Sequence, residues 1–226
     1  MKKIINHVLS IVLIISLIIF MITFSIGLPI YFRPFYYLHI NDLSYVQSGR
    51  WSFDTVKVAY DEVLDFLVLN KPFGTGSLKY SLEGKSHFED CKVLFDLNFW
   101  CLIISSIIIL TIFILNKFKV IEIKKYFRFD PIFYSSILAI LLPIIVGIFV
   151  IIDFDRTFEI FHMIFFPGKS NWLFNPYKDQ IILVLPEYFF MNCAILIGCS
   201  LLILTSSSII ASILIRNKKK TSQKSA

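Results

Sequence analysis

Charge is what this 226-residue chain has least of. Only 17% of its residues are charged, against about 25% in an ordinary soluble domain, while 57% are hydrophobic and the mean hydropathy is +0.75. Several chemical signatures are missing as well. There is no HExxH pair, no GxSxG elbow for a serine nucleophile and no Gly-rich phosphate loop. The four cysteines (Cys91, Cys101, Cys193, Cys199) have no CxxC or other metal-ligand spacing, and nothing in the sequence pairs them as disulfides. Internal repeats and low-complexity stretches are absent too. These gaps argue against a soluble enzyme, a nucleotide-binding fold and a dedicated metal centre, and no cofactor is expected.

What is abundant is concentrated. The apolar residues gather in four blocks, 4–28, 97–115, 132–152 and 188–215. Each is long enough to cross about 30 Å of hydrocarbon as a helix, which takes about 20 residues. The expected fold class is therefore all-α: a polytopic membrane protein with four transmembrane helices, forming one membrane domain over 1–226. Lys2 and Lys3 precede the first block as they would in a signal peptide, but its apolar core exceeds an h-region and no small-x-small cleavage site follows "SIGLPIYF". That block is expected to be retained as a span.

The lysines set an orientation. Segment 1–3 carries +2, segment 116–131 has five basic residues against two acidic for +3, and 216–226 carries +5. Segments 29–96 and 153–187 each net −2. By the positive-inside rule both termini and 116–131 face the cytoplasm, and the two acidic segments lie outside. The basic residues flank spans on one side, so orientation and contact with anionic lipid account for them, and nucleic acid is not an expected partner.

Within the first outer segment, "SFDTVKVAYDEVLDFLVL" places Phe53, Val56, Tyr60, Val63, Leu64 and Leu67 at helical spacing opposite Asp54, Lys57, Asp61 and Asp65, with Ser52 as N-cap. This predicts an amphipathic extracellular helix closed by "NKPFGTG". Aromatic residues crowd the span ends in "IYFRPFYYLHI", "FEIFHMIFF" and "NWLFNPY", in keeping with anchoring at headgroup level.

Two of the four histidines stand out. His7 and His39 are read as interfacial. His87, in "LEGKSHFEDCKVLF", enters the second span; if the helix begins near Ser86, Asp90 at i+3 and Cys91 at i+4 share its face. His162 follows the third span with Glu159 at i−3. A carboxylate beside each ring would hold one nitrogen and raise the basicity of the other. Connectivity places both pairs at the outer boundary, where a histidine can exchange protons near neutral pH. Other readings remain: the same residues as interfacial packing, a zinc site of two histidines with Asp90 or Glu159, and a Cys91 thiolate activated by His87. "TSSSIIAS" near the chain's end reads as small residues for helix packing.

The segments "HFEDCKVLF" and "FHMIFFPGKSNWLFNPYKDQIILVLPEYFF" resemble the four-span bacterial family of lipoprotein intramolecular transacylases, and "AYDEVLDFL" with the order of spans extends the resemblance over most of the chain. Phe88 and Cys91 depart from the Met and Val expected there. The resemblance implies transfer of the acyl chain from the sn-2 ester of a lipoprotein's diacylglyceryl-cysteine to that cysteine's α-amine, at the outer leaflet of the bacterial membrane, leaving an N-acylated lyso-form. Membrane-anchored diacylglyceryl lipoproteins and the phospholipid bilayer are then the partners. His87 and His162 would be the catalytic base and acid, with neither role assigned to either ring. Asp90 and Glu159 would orient them, and Arg156, Lys92, Tyr188 or a backbone N–H at "PGK" would face the oxyanion. The alternative is a non-enzymatic lipid-binding or accessory membrane protein; a metal-dependent hydrolase is the third reading.

Overall fold

The computed structural model describes residues 1–127 and 129–224, with backbone alone from 218 onward; Arg128 and the side chains of Lys218, Lys219, Lys220 and Lys224, counted among the basic residues above, lie outside it. Its helices are α1 (Lys2–Tyr31), α2 (Pro34–Ile40), α3 (Ser44–Gln47), α4 (Phe53–Leu69), α5 (Leu82–Lys117), α6 (Pro131–Ile152), α7 (Phe154–Phe165) and α8 (Glu187–Lys224), with a 3-10 turn at Gln180–Leu183. Among the described residues there is no strand, only an isolated bridge between Tyr126 and Phe129. Helices α1, α5, α6 and α8 (as far as Asn217) are long and apolar enough to cross a membrane, one for each predicted block. The protein is an all-α, multi-pass membrane protein.

Contacts gather the chain into two units, Met1–Ile26 with Phe99–Ile148 and Ile197–Ala226, and Gly27–Asn98 with Phe149–Leu196. The first is built from spanning helix and packs through small residues. Ser10, Ser16, Ser25, Ser105, Ser135, Ser136, Thr205 and Ser212 are all buried, where a small side chain permits close backbone approach. Thr205 returns its hydroxyl proton to the Leu201 carbonyl (2.8 Å), so the polar atom costs little in an apolar setting. Ser212 donates to Asp130, whose other carboxylate oxygen accepts from Phe133 N–H at the start of α6. Of the small residues in "TSSSIIAS", Thr205 and Ser212 pack as that reading expects, whereas Ser206, Ser207 and Ala211 are exposed. The basic loop after α5 is tied down from α1: Asn6 Oδ1 accepts from Glu122 N–H and Ser10 Oγ from Lys124 N–H.

The second unit holds an aromatic-rich core. Helix α4 runs as the apolar spacing predicts. Ser52 Oγ accepts from Thr55 N–H at 3.1 Å, and the helix ends on Asn70 in the left-handed region at φ 55°. Val56, Tyr60, Val63, Leu64 and Leu67 are buried, joined by Tyr36 and Ile40 of α2, Leu78, Phe88, Ile181, Val184 and Phe189. Tyr36 stacks on Tyr60 at 3.8 Å and donates its hydroxyl to the Val184 carbonyl at 2.6 Å, which fastens the 3-10 turn to α2.

One expectation needs correction here. Helix α5 starts at Leu82, four residues ahead of Ser86. The cause is Asp179, buried at 4% exposure, whose carboxylate accepts from both Ser81 N–H (2.7 Å) and Ser81 Oγ (3.0 Å), while that hydroxyl oxygen accepts from Gly84 N–H. A carboxylate at a helix N-terminus meets the positive end of the helix dipole. Gly84 has to be glycine, because a Cβ there would collide with the Asp179 carboxylate. His87 consequently sits in the second turn of α5, on a settled stretch of helix.

Candidate functional site

The site grows from two helices and the turn between α7 and the 3-10 segment. Asp153 caps α7 by accepting from Arg156 N–H at 2.9 Å. Along α7 the residues Ile160, Phe161, Met163, Ile164 and Phe165 are exposed and His162 alone is buried. That is an inverted pattern for a water-soluble helix and the expected one for a helix bathed in lipid on its outer face. The chain reverses beyond Phe166 through Gly168, whose φ of 75° is one that L side chains rarely adopt. Trp172 then returns to lie against His162.

The two histidines predicted from sequence come together. Their ring centroids are 5.7 Å apart with the planes at 34°; His87 is 5% exposed and His162 6%. Phe166 and Phe174 present edges to His87 at 5.0 and 5.4 Å. Phe158 presents an edge to His162 at 4.4 Å, and Trp172 stacks on it at 4.6 Å and 25°. An aromatic wall of this kind excludes water from the space beside both rings and offers apolar surface to a hydrocarbon chain.

The ring nitrogens are held differently. His162 Nδ1 lies 2.7 Å from the Phe158 carbonyl. A carbonyl can only accept, so the proton is on Nδ1 and Nε2 carries the open lone pair. Burial lowers the His162 pKa below the usual imidazole value, opposed by that hydrogen bond, and so favours the neutral ring. His87 Nε2 lies 3.3 Å from Cys91 Sγ, and its Nδ1 is buried with no hydrogen-bond partner among the described residues. Proton occupancy of both rings together would set two like charges at close range in a poorly solvated place.

The carboxylates do not play the parts expected of them. Asp90 does not bond His87. It accepts from Lys169 Nζ and from Asn171 Nδ2 (2.9 Å), tying the loop after α7 to α5. Glu159 does not bond His162 either; it is paired with Arg156 one turn earlier at the exposed surface of α7, because His162 already has a backbone carbonyl one turn away. Of the proposed oxyanion donors, the three side chains and the Lys169 N–H are engaged or elsewhere, which leaves the Gly168 N–H of "PGK" without a partner among the described residues. Arg156 is committed to Glu159. Lys92 donates to the Leu67 carbonyl at the end of α4 and pairs with Asp96. Lys169 N–H closes a turn onto Phe166 O. Tyr188 lies half-exposed in the first turn of α8, with no hydrogen bond or ring contact to either histidine among the described residues. Of the remaining histidines, His39 has both nitrogens occupied, by the Phe35 carbonyl and by Asn192 Nδ2, and His7 meets the Tyr126 hydroxyl. Asn171 and Phe174 were not singled out from sequence, and no periodicity marks them; only the Pro-Gly turn before them hinted that the chain folds back.

All four cysteines are free, and among the described residues no three His, Cys, Asp or Glu side chains gather as a set that could hold a metal ion.

Comparison with known proteins supplies the context. The fold is that of the membrane integral lipoprotein intramolecular transacylase Lit from Bacillus cereus: one structure superposes with a TM-score of 0.81 at 23% identity, covering 100% of both chains. Two others of that protein, with a histidine-to-arginine and a histidine-to-alanine mutation, match at TM-score 0.78 and 24% identity, covering 98% and 97% of this chain and 96% and 97% of theirs. A comparison with the curated proteins finds no match. The family model "Lipoprotein intramolecular transacylase Lit" matches residues 11–190, and the chain belongs to that family, a membrane-integral acyltransferase acting on lipoproteins.

Proposed function

We infer that the protein moves the acyl chain from the sn-2 ester of a membrane-anchored diacylglyceryl lipoprotein onto the α-amine of the same cysteine, and that His87 and His162 are the catalytic pair. The observation that carries this is the juxtaposition of two nearly dry imidazoles at 5.7 Å inside an aromatic wall. The mutant structures of the Bacillus cereus protein, each altered at a histidine, are in keeping with a histidine-based chemistry.

The chemistry suits these groups. An α-amine has a pKa near 8, so a neutral fraction is present at pH 7, and it must lose a proton as the amide forms. His162 is placed for that step, with Nδ1–H anchored on Phe158 O and Nε2 open. Its anchoring is analogous to the way a triad histidine is fixed by a partner on its other nitrogen, here a backbone carbonyl in place of a carboxylate. The glyceryl oxygen that leaves needs a proton, and the imidazolium formed at His162 can return it. His87, with its ring 5.7 Å from that of His162, is the partner that would meet the ester carbonyl. Amine and ester belong to one molecule, so folding the substrate against the two rings supplies orientation worth several kcal/mol without an activated donor. The exposed apolar face of α7 and the ring of Trp172 give the acyl chains a surface to lie on. The lysine distribution supports an orientation with both termini cytoplasmic and this site at the outer leaflet.

The test is mass spectrometry of one lipoprotein's N-terminal lipopeptide, from a host that makes only diacylated lipoproteins, with and without the protein. The expected product has unchanged mass, with fragment ions that place one acyl group on the amine and one on the glyceryl. An unchanged diacylglyceryl peptide, with the protein verified in the membrane, overturns the reading in favour of an accessory role.

A further inference from the structure

The catalytic reading leaves one atom unexplained. His87 Nδ1 is buried and has no hydrogen-bond partner among the described residues. The ring's other nitrogen is 3.3 Å from Cys91 Sγ, one turn further along α5, within reach for a sulfur hydrogen bond. Such a contact can run two ways: the thiol can donate to a bare Nε2, or Nε2–H can donate to sulfur. Imidazole nitrogen has a localised lone pair and is a strong acceptor, whereas sulfur is a weak one. The first arrangement therefore prevails, and it places the ring proton on Nδ1.

We propose that Cys91 is a positioning residue that locks His87 as its Nδ1–H tautomer and so turns His87 into a hydrogen-bond donor to the ester carbonyl oxygen of the lipoprotein substrate. The proposal rests on the transacylase reading above and assigns His87 within it. The two rings then offer opposite functions from the same tautomer. His162 has Nδ1–H engaged by Phe158 O and presents Nε2 as acceptor; His87 has Nε2 engaged by Cys91 and presents Nδ1–H as donor. A buried donor with no partner is costly until an oxygen meets it. A carbonyl oxygen gaining negative charge is the oxygen that rewards it most.

The step balances without a change of charge at His87. The amine nitrogen attacks the ester carbonyl carbon, the C–N bond forms, and the amine proton passes to His162 Nε2. The carbonyl electrons move to oxygen, which accepts from His87 Nδ1–H. As the oxyanion collapses, the bond to the glyceryl oxygen breaks and that oxygen takes the proton from His162. Both rings end in the tautomers in which they began. A neutral imidazole used as an electrophile in this way has precedent in isomerase chemistry.

The experiment reads the tautomer directly, by 15N NMR of the full-length protein labelled at histidine and held in lipid bilayers, with the His87 signals assigned by their loss in His87→Gln. Wild-type His87 is expected to show a pyrrole-type Nδ1 and a pyridine-type Nε2. Cys91→Val keeps similar bulk without the donor; it is expected to shift His87 toward the other tautomer and to lower kcat about five- to tenfold with KM little changed. Cys91→Ser keeps a donor and is expected to restore both the spectrum and the rate. A wild-type His87 protonated at Nε2, or a tautomer indifferent to Cys91→Val, overturns the proposal, and the wild-type spectrum decides the matter even if a variant fails to fold. The spectra need no substrate. A protein that makes no N-acyl product would therefore sink the catalytic reading independently of what they show about Cys91.

Discussion

Two polar clusters within one structural unit are built on opposite rules. Around Arg33 every charge is answered: its guanidinium bonds Asp61 at 2.9 Å and also Asp65, Lys57 and the Tyr37 hydroxyl both reach Asp61, and Lys71 reaches Asp65. Burial works to raise the Asp61 pKa, yet hydrogen bonds from Lys57, Tyr37 and Arg33 hold it below the usual carboxylate value; Arg33 and Lys71 do the same for Asp65. Around His87 and His162, among the described residues, no charged side chain hydrogen-bonds either ring, although the Asp90–Lys169 pair lies close enough to His87 to act on it electrostatically, and nitrogens are left open. A satisfied network has nothing further to offer a ligand, whereas an open, desolvated nitrogen is held ready for one. His39 shows the same rule within one residue type: both of its nitrogens are bonded, and it belongs to the core.

The largest break in this contrast should come from the histidines themselves. His162→Ala and His87→Ala are each expected to lower the rate of N-acylation by about 10²-fold or more, the usual weight of acid–base groups, while the thermal midpoint moves little. Lipopeptide mass spectrometry against time and a melting curve in the same detergent read both quantities. A loss of only a few-fold would place the chemistry elsewhere. The pH profile is the next largest effect. His162 must be unprotonated to accept, and burial holds its pKa below the usual imidazole value of about 6.5. Activity should therefore fall toward acid with an inflection below about pH 6.5, and rise again toward pH 8 as the substrate amine, pKa near 8, loses its proton. Rates of kcat/KM measured from pH 5 to 9 would show the two limbs, and an imidazole inflection above 6.5 would contradict a desolvated base.

The contrast also explains what could be read from the amino-acid sequence. The histidine pair rested on a carboxylate at helical spacing beside each ring and on the family resemblance, and the carboxylate contacts are not made. Spans and the α4 face were legible because each is a local pattern: a run of apolar residues, a 3.6-residue period. The partners of Asp90 and Glu159 were not, because helical spacing places a carboxylate near a ring without deciding which donor it takes. Asp90 chose Lys169 and Asn171 from 79 and 81 residues away. His162 chose the Phe158 carbonyl, which helical geometry supplies four residues back and which no side-chain pattern announces. The start of α5 at Leu82 was hidden for the same reason: its cap, Asp179, is 98 residues from Ser81.

Asp90 makes the comparison sharper, since it is a charged group of the satisfied kind placed at the edge of the open site. Asp90→Ala removes the tie to Lys169 and Asn171, so the loop that carries Trp172 loosens over His162. The expected effect is about tenfold in kcat/KM, with the acid limb of the pH profile unmoved because His162 keeps its Phe158 bond. An acid limb displaced by the substitution would mean that Asp90 acts on the ring electrostatically after all.

The smallest effect on activity should come from the satisfied network, and it is the control for everything above. Arg33→Met keeps the stem of the side chain and removes its two carboxylate contacts, which are about a quarter exposed on the Arg33 side and are partly screened there. A stability loss of about 1–2 kcal/mol is expected, with kcat within about twofold of wild type. The sign with pH follows from the carboxylates. Both pKa values lie lower in the folded state than in the unfolded chain, so the unfolded state binds more protons in acid. The network's contribution is fully present above about pH 4, the unfolded value, and disappears as pH falls through the folded values. Wild type and Arg33→Met should thus differ in thermal midpoint at pH 6 and converge in strong acid, while their rates at pH 7 stay close. Should the substitution instead abolish turnover with the midpoint intact, Arg33 would have to touch the substrate, and the division of the unit into a charged region for structure and an uncharged one for chemistry would fail.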